Sequence, residues 1–337
     1  MSTNKSKICV IIGGAGYIGQ NFAKYLIEKK LFQKIYLLDL KETNVNLRFI
    51  PKDYLLEGII EYKQYDIREK INFRPERPID LVCNFAAVHR EPGHEDYEYF
   101  DTNIKGANNT CEWSDSVGCK KILFTSSISP YGEINREKDE NSIIYPNTPY
   151  GISKAIAEKI HEKWQARNKE NQLYIVRPGV VYGPYESGNL SRMIKAIKNN
   201  YFFYSDNKKI KKSAIYIEEL CSFMEWIISH KKNYILANAS IYPPPSVEEI
   251  AVKIMSVLGK EKIILNLPLS LLTSIAFIID LFLTPFKKDH PFKVRRVQKI
   301  KVSNNVIAKF AIKNGYKYKF DLEKSFIDWR KKAENDW

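Results

Sequence analysis

KICVIIGGAGYIG, residues 7–19, decides the fold. Its first half is apolar and β-rich and predicts a strand over 7–12, while the spacing of Ile18, Phe22, Tyr25 and Leu26 predicts a helix over 17–30. Between them, Gly13, Gly16 and Gly19 allow a tight turn, a close approach of backbone N–H groups to a pyrophosphate at the helix N-terminus, and close packing of helix on strand. A glycine triplet alone is a weak signal, because a helix-capping turn reads the same way. The next predicted strand, 34–38, runs into Asp39, 26 residues after Gly13, where a carboxylate can accept hydrogen bonds from an adenosine ribose diol. That carboxylate repels a 2′-phosphate, so NAD is expected over NADP, with Lys41 near enough to weaken the preference.

Outward from this stretch the rhythm repeats. Apolar strand candidates at 59–65, 79–87, 121–126 and 173–176 alternate with helical segments around 102–117 and 149–169. Such alternation marks βαβ units and a parallel sheet with helices on both faces. After Pro184 helical segments dominate (191–199, 218–231, 246–258, 323–332), broken by short strand candidates at 213–217 and 234–237. The expectation is a dinucleotide-binding domain over 1–184 and a smaller α+β substrate part over 185–337. The boundary is soft and the chain is expected to cross it.

With 44% hydrophobic and 27% charged residues in 337, the balance is globular and too apolar for a disordered scaffold. The net charge of +14 invites an anionic macromolecule, yet 41 of the 53 cations are lysines, scattered along the chain, and no recognition motif accompanies them. Nucleic acid is therefore not expected as a partner. Cys9, Cys83, Cys111, Cys119 and Cys221 are odd in number and form no C-x-x-C pair, so they read as reduced thiols; no metal is expected. The apolar run at the N-terminus is too short for a signal peptide and flows into the glycine loop. A cytoplasmic protein is expected.

Further along, Tyr150 and Lys154 stand four apart in a helical segment, which stacks them on one face. A free phenol with pKa about 10 is a poor base near neutrality, and a neighbouring ammonium favours the phenolate. The preceding strand ends in Ser126-Ser127, whose hydroxyl could orient a substrate alcohol. With GGAGYIG (13–19), Asp39, YDIR (65–68), NFAA (84–87), NIKGANN (103–109), FTSSISPYG (124–132), YGISK (150–154), RPGVVYGP (177–184) and AIYIEEL (214–220), the chain resembles the extended short-chain dehydrogenase/reductases of the nucleotide-sugar epimerase/dehydratase group over nearly its whole length. The resemblance implies a Rossmann-type doubly wound parallel sheet with a smaller C-terminal α+β part, NAD as cofactor, a nucleotide-diphosphate sugar as substrate, and a homodimer. It implies Ser127, Tyr150 and Lys154 as the catalytic triad. It also implies cofactor contacts from Tyr17 and Ile18 in the loop, Asp66 and Ile67 at the adenine, Ala86 and Ala87 at the phosphates or ribose, Asn103, and Pro178.

Within that group, 4,6-dehydratases need an Asp-Glu pair just after the catalytic hydroxyl, and decarboxylating members carry a Glu two residues before the strand-end Tyr. Here Ile128, Ser129 and Pro130 stand there instead. What remains is hydride and proton transfer at one carbinol: a 4-epimerase passing through a 4-keto sugar, or alternatively a 4-reductase or 4-dehydrogenase with net redox turnover. Lys212 occupies a position that is often Arg in the family, so charge is kept but the bidentate fork is lost. Substrate candidates are His89, Asn189, Arg192, Lys212 and Arg295, with Ser127. The 20-residue apolar run 267–286 is long enough to span a bilayer, but Pro268 and Pro285 bracket it and Asp280 lies inside it, so a buried or oligomer-facing helix is expected before membrane contact. Two rivals are a membrane-associated sterol-type dehydrogenase and a catalytically silent dinucleotide sensor, though such sensors tend to lose the Tyr or the Lys.

Overall fold

Side chains alternate across a strand, and here both faces of the strands are apolar, so each must be covered. The computed structural model describes residues 7–42, 46–91, 93–133, 136–205, 207–261, 263–268, 270, 271, 273, 274, 277 and 303–337. Among them β1 (Ile8–Ile12), α1 (Tyr17–Glu28), β2 (Lys34–Asp39), α2 (Lys52–Leu56), β3 (Ile60–Gln64), β4 (Leu81–Asn84), α3 (Asp96–Ser116), β5 (Lys121–Thr125), α4 (Pro149–Ala166) and β6 (Gln172–Pro178) follow one another. The chain continues through β7 (Val180–Tyr182), α5 (Asn189–Lys198), β8 (Tyr204–Ser205), β9 (Ala214–Tyr216), α6 (Ile217–Ile228), β10 (Tyr234–Ala239), α7 (Val247–Leu258) and β11 (Asn266–Leu267), with the short helix Lys309–Lys313, the helix Leu322–Lys332 and a final 3-10 turn Glu334–Asp336 after them.

The main sheet runs β10-β6-β5-β4-β1-β2-β3, and every neighbouring pair is parallel. Cys9 and Ile11 of β1 face one apolar layer with Phe22 and Leu26 of α1 and Phe223 of α6; Val10 and Ile12 face the other, with Ala107 of α3 and Trp164 of α4. A fully buried side chain of this kind contributes about 1.5–3 kcal/mol, and both layers need it because neither face meets water. Strand order reverses between β1 and β4, which opens a crevice at their carboxyl ends.

The strand candidate 234–237 follows the boundary expected near 184, and there the chain crosses back: β10 lies alongside β6 as the seventh strand of the main sheet, with Ile235, Ala237 and Ala239 buried. Its apolar content requires cover on both sides, which the sheet and its helix layers supply. Outside the main sheet, β7 pairs β9 and β8 pairs β11. No helix among the described residues is long and apolar enough to cross a membrane. Arg295 and most of the run 267–286 lie outside the described residues.

Candidate functional site

The β1–α1 turn sits at the crevice. Gly13 has φ +80°, and a Cβ there would lie 2.5 Å from the Ala86 nitrogen, so the turn and the chain leaving β4 touch backbone to backbone. A Cβ on Gly19 would lie 2.4 Å from the Gly13 oxygen. α1 starts after Gly16 with no side-chain cap and no acidic residue in its first turn. Its leading N–H groups and the positive end of its dipole are thus left for an anion, with no side chain in the way.

Asp39 closes β2 beside this turn. Its Oδ2 accepts the Ala15 N–H at 2.9 Å, and Lys41 donates through Nζ to the Ala15 oxygen at 3.2 Å. A carboxylate and an ammonium therefore flank the loop together, as the sequence anticipated. Tyr17 leaves only its backbone at the loop: its side chain packs on Phe49, with ring centroids 5.4 Å apart, and its hydroxyl is buried without a hydrogen-bond partner. Ile18 is half-buried in the first turn of the helix. Past β3, Asp66 accepts from Arg68 Nε at 3.0 Å and Nη2 at 2.6 Å, which holds its carboxyl below the usual range, while Ile67 is buried against Gly106 of α3. Ala86 and Ala87 are half-buried, and Pro178 is buried at the end of β6.

α4 is started by Thr148, whose Oγ1 accepts the Gly151 N–H at 3.2 Å, and by Pro149 in the first turn, where a missing N–H costs nothing. A Cβ on Gly151 would lie 2.8 Å from the Ser129 oxygen, so the helix start presses on the turn after β5. Tyr150 is thereby brought beside Ser127, whose hydroxyl opposes the rise in the phenol's pKa. Ser127 Oγ donates to Ser129 Oγ and accepts the Ser129 N–H, both at 3.1 Å. The neighbouring Ser126 turns inward instead, donating to the buried Glu158 carboxylate, which binds Arg177 through Nε at 2.8 Å and Nη2 at 2.6 Å. Of the two adjacent hydroxyls, Ser127 faces the phenol.

Lys154 alters one step of the sequence argument. Its ammonium donates to the Thr125 oxygen at 2.6 Å and stands 4.2 Å from the Phe124 ring centroid. Burial pulls its pKa down to about 7, with the Glu158 charge opposing. The Tyr150 phenol is pushed up to about 12, by burial first, with the nearby Ser127 hydroxyl offsetting in part and Glu91 and Tyr99 adding to the rise. Helical spacing puts Tyr150 and Lys154 on one face, but a buried ammonium requires an acceptor, and the carbonyl at the end of β5 supplies it.

Asn103 clamps this arrangement. Its Oδ1 accepts the Val88 N–H at 2.9 Å, and its Nδ2 donates to the Val88 oxygen at 3.1 Å and to Ser153 Oγ at 2.9 Å, tying the segment after β4 to α4. His89 follows on that segment. Crowding lowers its pKa, opposed by the hydrogen bond to the Ala87 carbonyl and reinforced by the charges of Arg90 and Lys154. Asn84 is turned away, pairing with the buried His161 at 3.3 Å.

The other substrate candidates are dispersed. Asn189 and Arg192 bond each other at 2.6 Å on α5. Burial raises the pKa of the Glu186 carboxyl, and the Gly188 N–H, Arg192 and Arg90 offset the rise in part. Lys212 lies beside Pro245 and Asn304, its ammonium lowered to about 8 by burial. Three participants escaped the sequence reading: Thr125, Glu158 and Arg177. Glu158 had a signal, since it stands four residues after Lys154 on the same helix; its pairing with Arg177 of β6 had none.

The family model described as NAD dependent epimerase/dehydratase family matches residues 9–237. The chain is 29% identical over 195 residues to the N-acetyl-alpha-D-glucosaminyl-diphospho-ditrans,octacis-undecaprenol 4-epimerase of Escherichia coli O157:H7, covering 56% of this chain and 58% of that protein. It is likewise 29% identical over 206 residues to the UDP-glucose 4-epimerase of Neisseria meningitidis serogroup C, covering 59% of this chain and 60% of that one. The matched stretch is less than two thirds of these relatives' own length. In fold, the chain superimposes on the dTDP-glucose 4,6-dehydratase of Bacillus anthracis with a TM-score of 0.72 at 20% identity, covering 98% of this chain and 99% of that one. The UDP-N-acetylglucosamine 4-epimerase of Methanobrevibacter ruminantium gives 0.72 at 18% identity, covering 97% and 99%. With the family match running from the first strand of the sheet into its seventh, the chain belongs to the NAD dependent epimerase/dehydratase family.

Proposed function

We propose that this protein is a nucleotide-sugar 4-epimerase that works through a 4-keto sugar on tightly held NAD. The observation that carries the choice of reaction is the turn after β5. Ile128 there is buried with Tyr131 and Val306, and Ser129 is bonded to Ser127, so the positions where a dehydratase or decarboxylase keeps its carboxylate hold an apolar side chain and a hydroxyl. The 4-epimerases among the relatives agree with this reading.

The dinucleotide would be held by the backbone of residues 13–19 at the start of α1 and by Asp39, with Asp66, Ile67, Ala86 and Ala87 along its length; bound there, it supplies a reversible hydride acceptor. The chain itself handles the proton. Tyr150 Oη takes it from the sugar 4-hydroxyl and returns it once the keto sugar has turned its other face, while Ser127 Oγ orients that hydroxyl. Lys154 fixes the end of β5 through Thr125 and places a titratable ammonium under the site. Asn103 keeps the segment after β4 in register with α4. His89, Asn189, Arg192, Lys212 and Arg295 are assigned to the sugar nucleotide. Residues 1–184 serve the dinucleotide and 185–337 the sugar nucleotide, with β10 returning to the sheet. The protein acts as a homodimer in the cytoplasm, a reducing compartment in keeping with five buried, unpaired cysteines.

The test is to incubate the purified protein with UDP-sugars and follow C4 epimers by NMR. Interconversion without added cofactor is expected; stoichiometric formation or consumption of NAD(P)H would assign net redox turnover instead. Light scattering reads the oligomeric state.

A further inference from the structure

We propose that one edge of the C-terminal part, formed by the outer face of α5 and the β8–β11 pair, docks on the surface of a membrane rich in anionic lipids. α5 buries Leu190, Ile194 and Ile197 and exposes Lys195 and Lys198 side by side on its outer face, a short cationic stripe with no acidic residue anywhere on the helix. Among the described residues, neither Lys195 nor Lys198 pairs with a carboxylate. The stripe runs directly into an apolar edge. Tyr201, just past α5, is 55% exposed, and Ile263 and Leu265, leading into β11, are 86% and 67% exposed.

These residues are held together in space. The Tyr204 N–H bonds the Leu265 oxygen at 2.8 Å, and Lys260 donates through Nζ to the Lys198 carbonyl, tying the two segments at the end of α5. Beneath them Ile197, Phe202, Met255 and Ile264 line a shallow groove with Ile263.

Large aliphatic side chains this exposed are unfavourable against water, and a row of lysines beside them selects a partner that is negative and apolar within a few ångströms. A bilayer of anionic lipids offers both, phosphates to the stripe and acyl chains to the edge. Nucleic acid would meet the lysines and leave Ile263 and Leu265 in water; a second copy of this chain, itself basic, would set cation against cation. In sequence the edge leads into the apolar run 267–286, which ends at Lys287-Lys288. The association is peripheral and leaves the sugar chemistry untouched.

The full chain should float with vesicles of phosphatidylcholine plus phosphatidylglycerol at low salt and fail to float with phosphatidylcholine alone. Each basic residue near an anionic surface is worth about a factor of five in partitioning, so Lys195→Ala with Lys198→Ala should weaken flotation by about 25-fold, as should added salt. Ile263→Asp with Leu265→Asp should abolish it while leaving the melting temperature unchanged, because all four side chains are exposed. The proposal fails if the wild type does not float with the anionic vesicles at low salt. It fails equally if either double variant floats like the wild type. If the apolar variant instead dissociates an oligomer of a wild type that never floats, the edge belongs to a second copy; retention of the wild type on DNA without vesicle binding would assign the stripe to nucleic acid.

Discussion

Lys154 sets catalytic placement against stability, and the conflict can be measured. It is 2% exposed, and burial lowers its pKa from the ordinary 10.5 to about 7. At about 1.4 kcal/mol per pH unit, that fall corresponds to roughly 5 kcal/mol of penalty on keeping the ammonium charged in the fold. Replacing Lys154 by Met keeps the length and removes the charge, but leaves the Thr125 carbonyl without its donor, which costs about 1–3 kcal/mol. Lys154→Met should therefore be more stable than the wild type by about 2 kcal/mol or somewhat more. The unfolded lysine keeps its proton up to pH 10.5, whereas the folded one releases it near 7. Across that interval the unfolded chain binds more protons, so wild-type stability rises with pH; the penalty is complete below 7 and fades towards 10.5. The advantage of the variant should accordingly be largest in mildly acid solution and shrink through the alkaline range. Melting temperatures or urea midpoints of the two proteins across pH test this, with epimerase activity assayed in parallel and expected to collapse. A variant no more stable than the wild type at acid pH, or an advantage that does not change with pH, would show that the buried charge of Lys154 does not weaken the fold.

Tyr150→Phe removes the proton-transfer group while keeping the ring and should lower turnover by about 10²- to 10⁴-fold at unchanged melting temperature; a smaller loss would move the proton transfer elsewhere. Glu158→Gln leaves the buried Arg177 guanidinium without a charged partner and should destabilise the fold by about 3–5 kcal/mol, seen as a large fall in melting temperature. Asp39→Ala should weaken NAD binding by about 10- to 100-fold, the worth of charge-assisted hydrogen bonds, while narrowing discrimination against NADP, which a fluorescence titration with both cofactors reads. If Asp39→Ala binds NAD as the wild type does, the ribose is not held there.

Much of this molecule is legible along the chain because its determinants are local. The run 7–19 carries its own strand, turn and helix start, with glycines at which an added Cβ would stand only 2.4 and 2.5 Å from backbone atoms. Asp39 follows at the end of the next strand, and Tyr150 and Lys154 share a helix face by spacing alone. The apolar runs of the strands are local in the same sense. The family resemblance rests on these same local motifs.

Where side chains from separate segments end up is set by packing between them. The family resemblance names Ser127, but strand geometry by itself does not choose between Ser126 and Ser127, because adjacent residues at a strand end point oppositely and the outcome depends on what packs behind; Glu158 and Arg177, 19 residues apart, capture Ser126 and so free Ser127. The placing of 234–239 beside β6 likewise depends on the last open edge of the sheet being there to receive it. The same holds for Lys154, whose ammonium is fixed by the Thr125 carbonyl at the end of β5 rather than by the residue four places before it. Sequence therefore determined the elements, the loop and the residue types of the site, since those follow from backbone geometry and short-range spacing. The tertiary structure decided hydrogen-bond partners and titration, since a buried charge is governed by whichever groups the folded chain brings within a few ångströms of it.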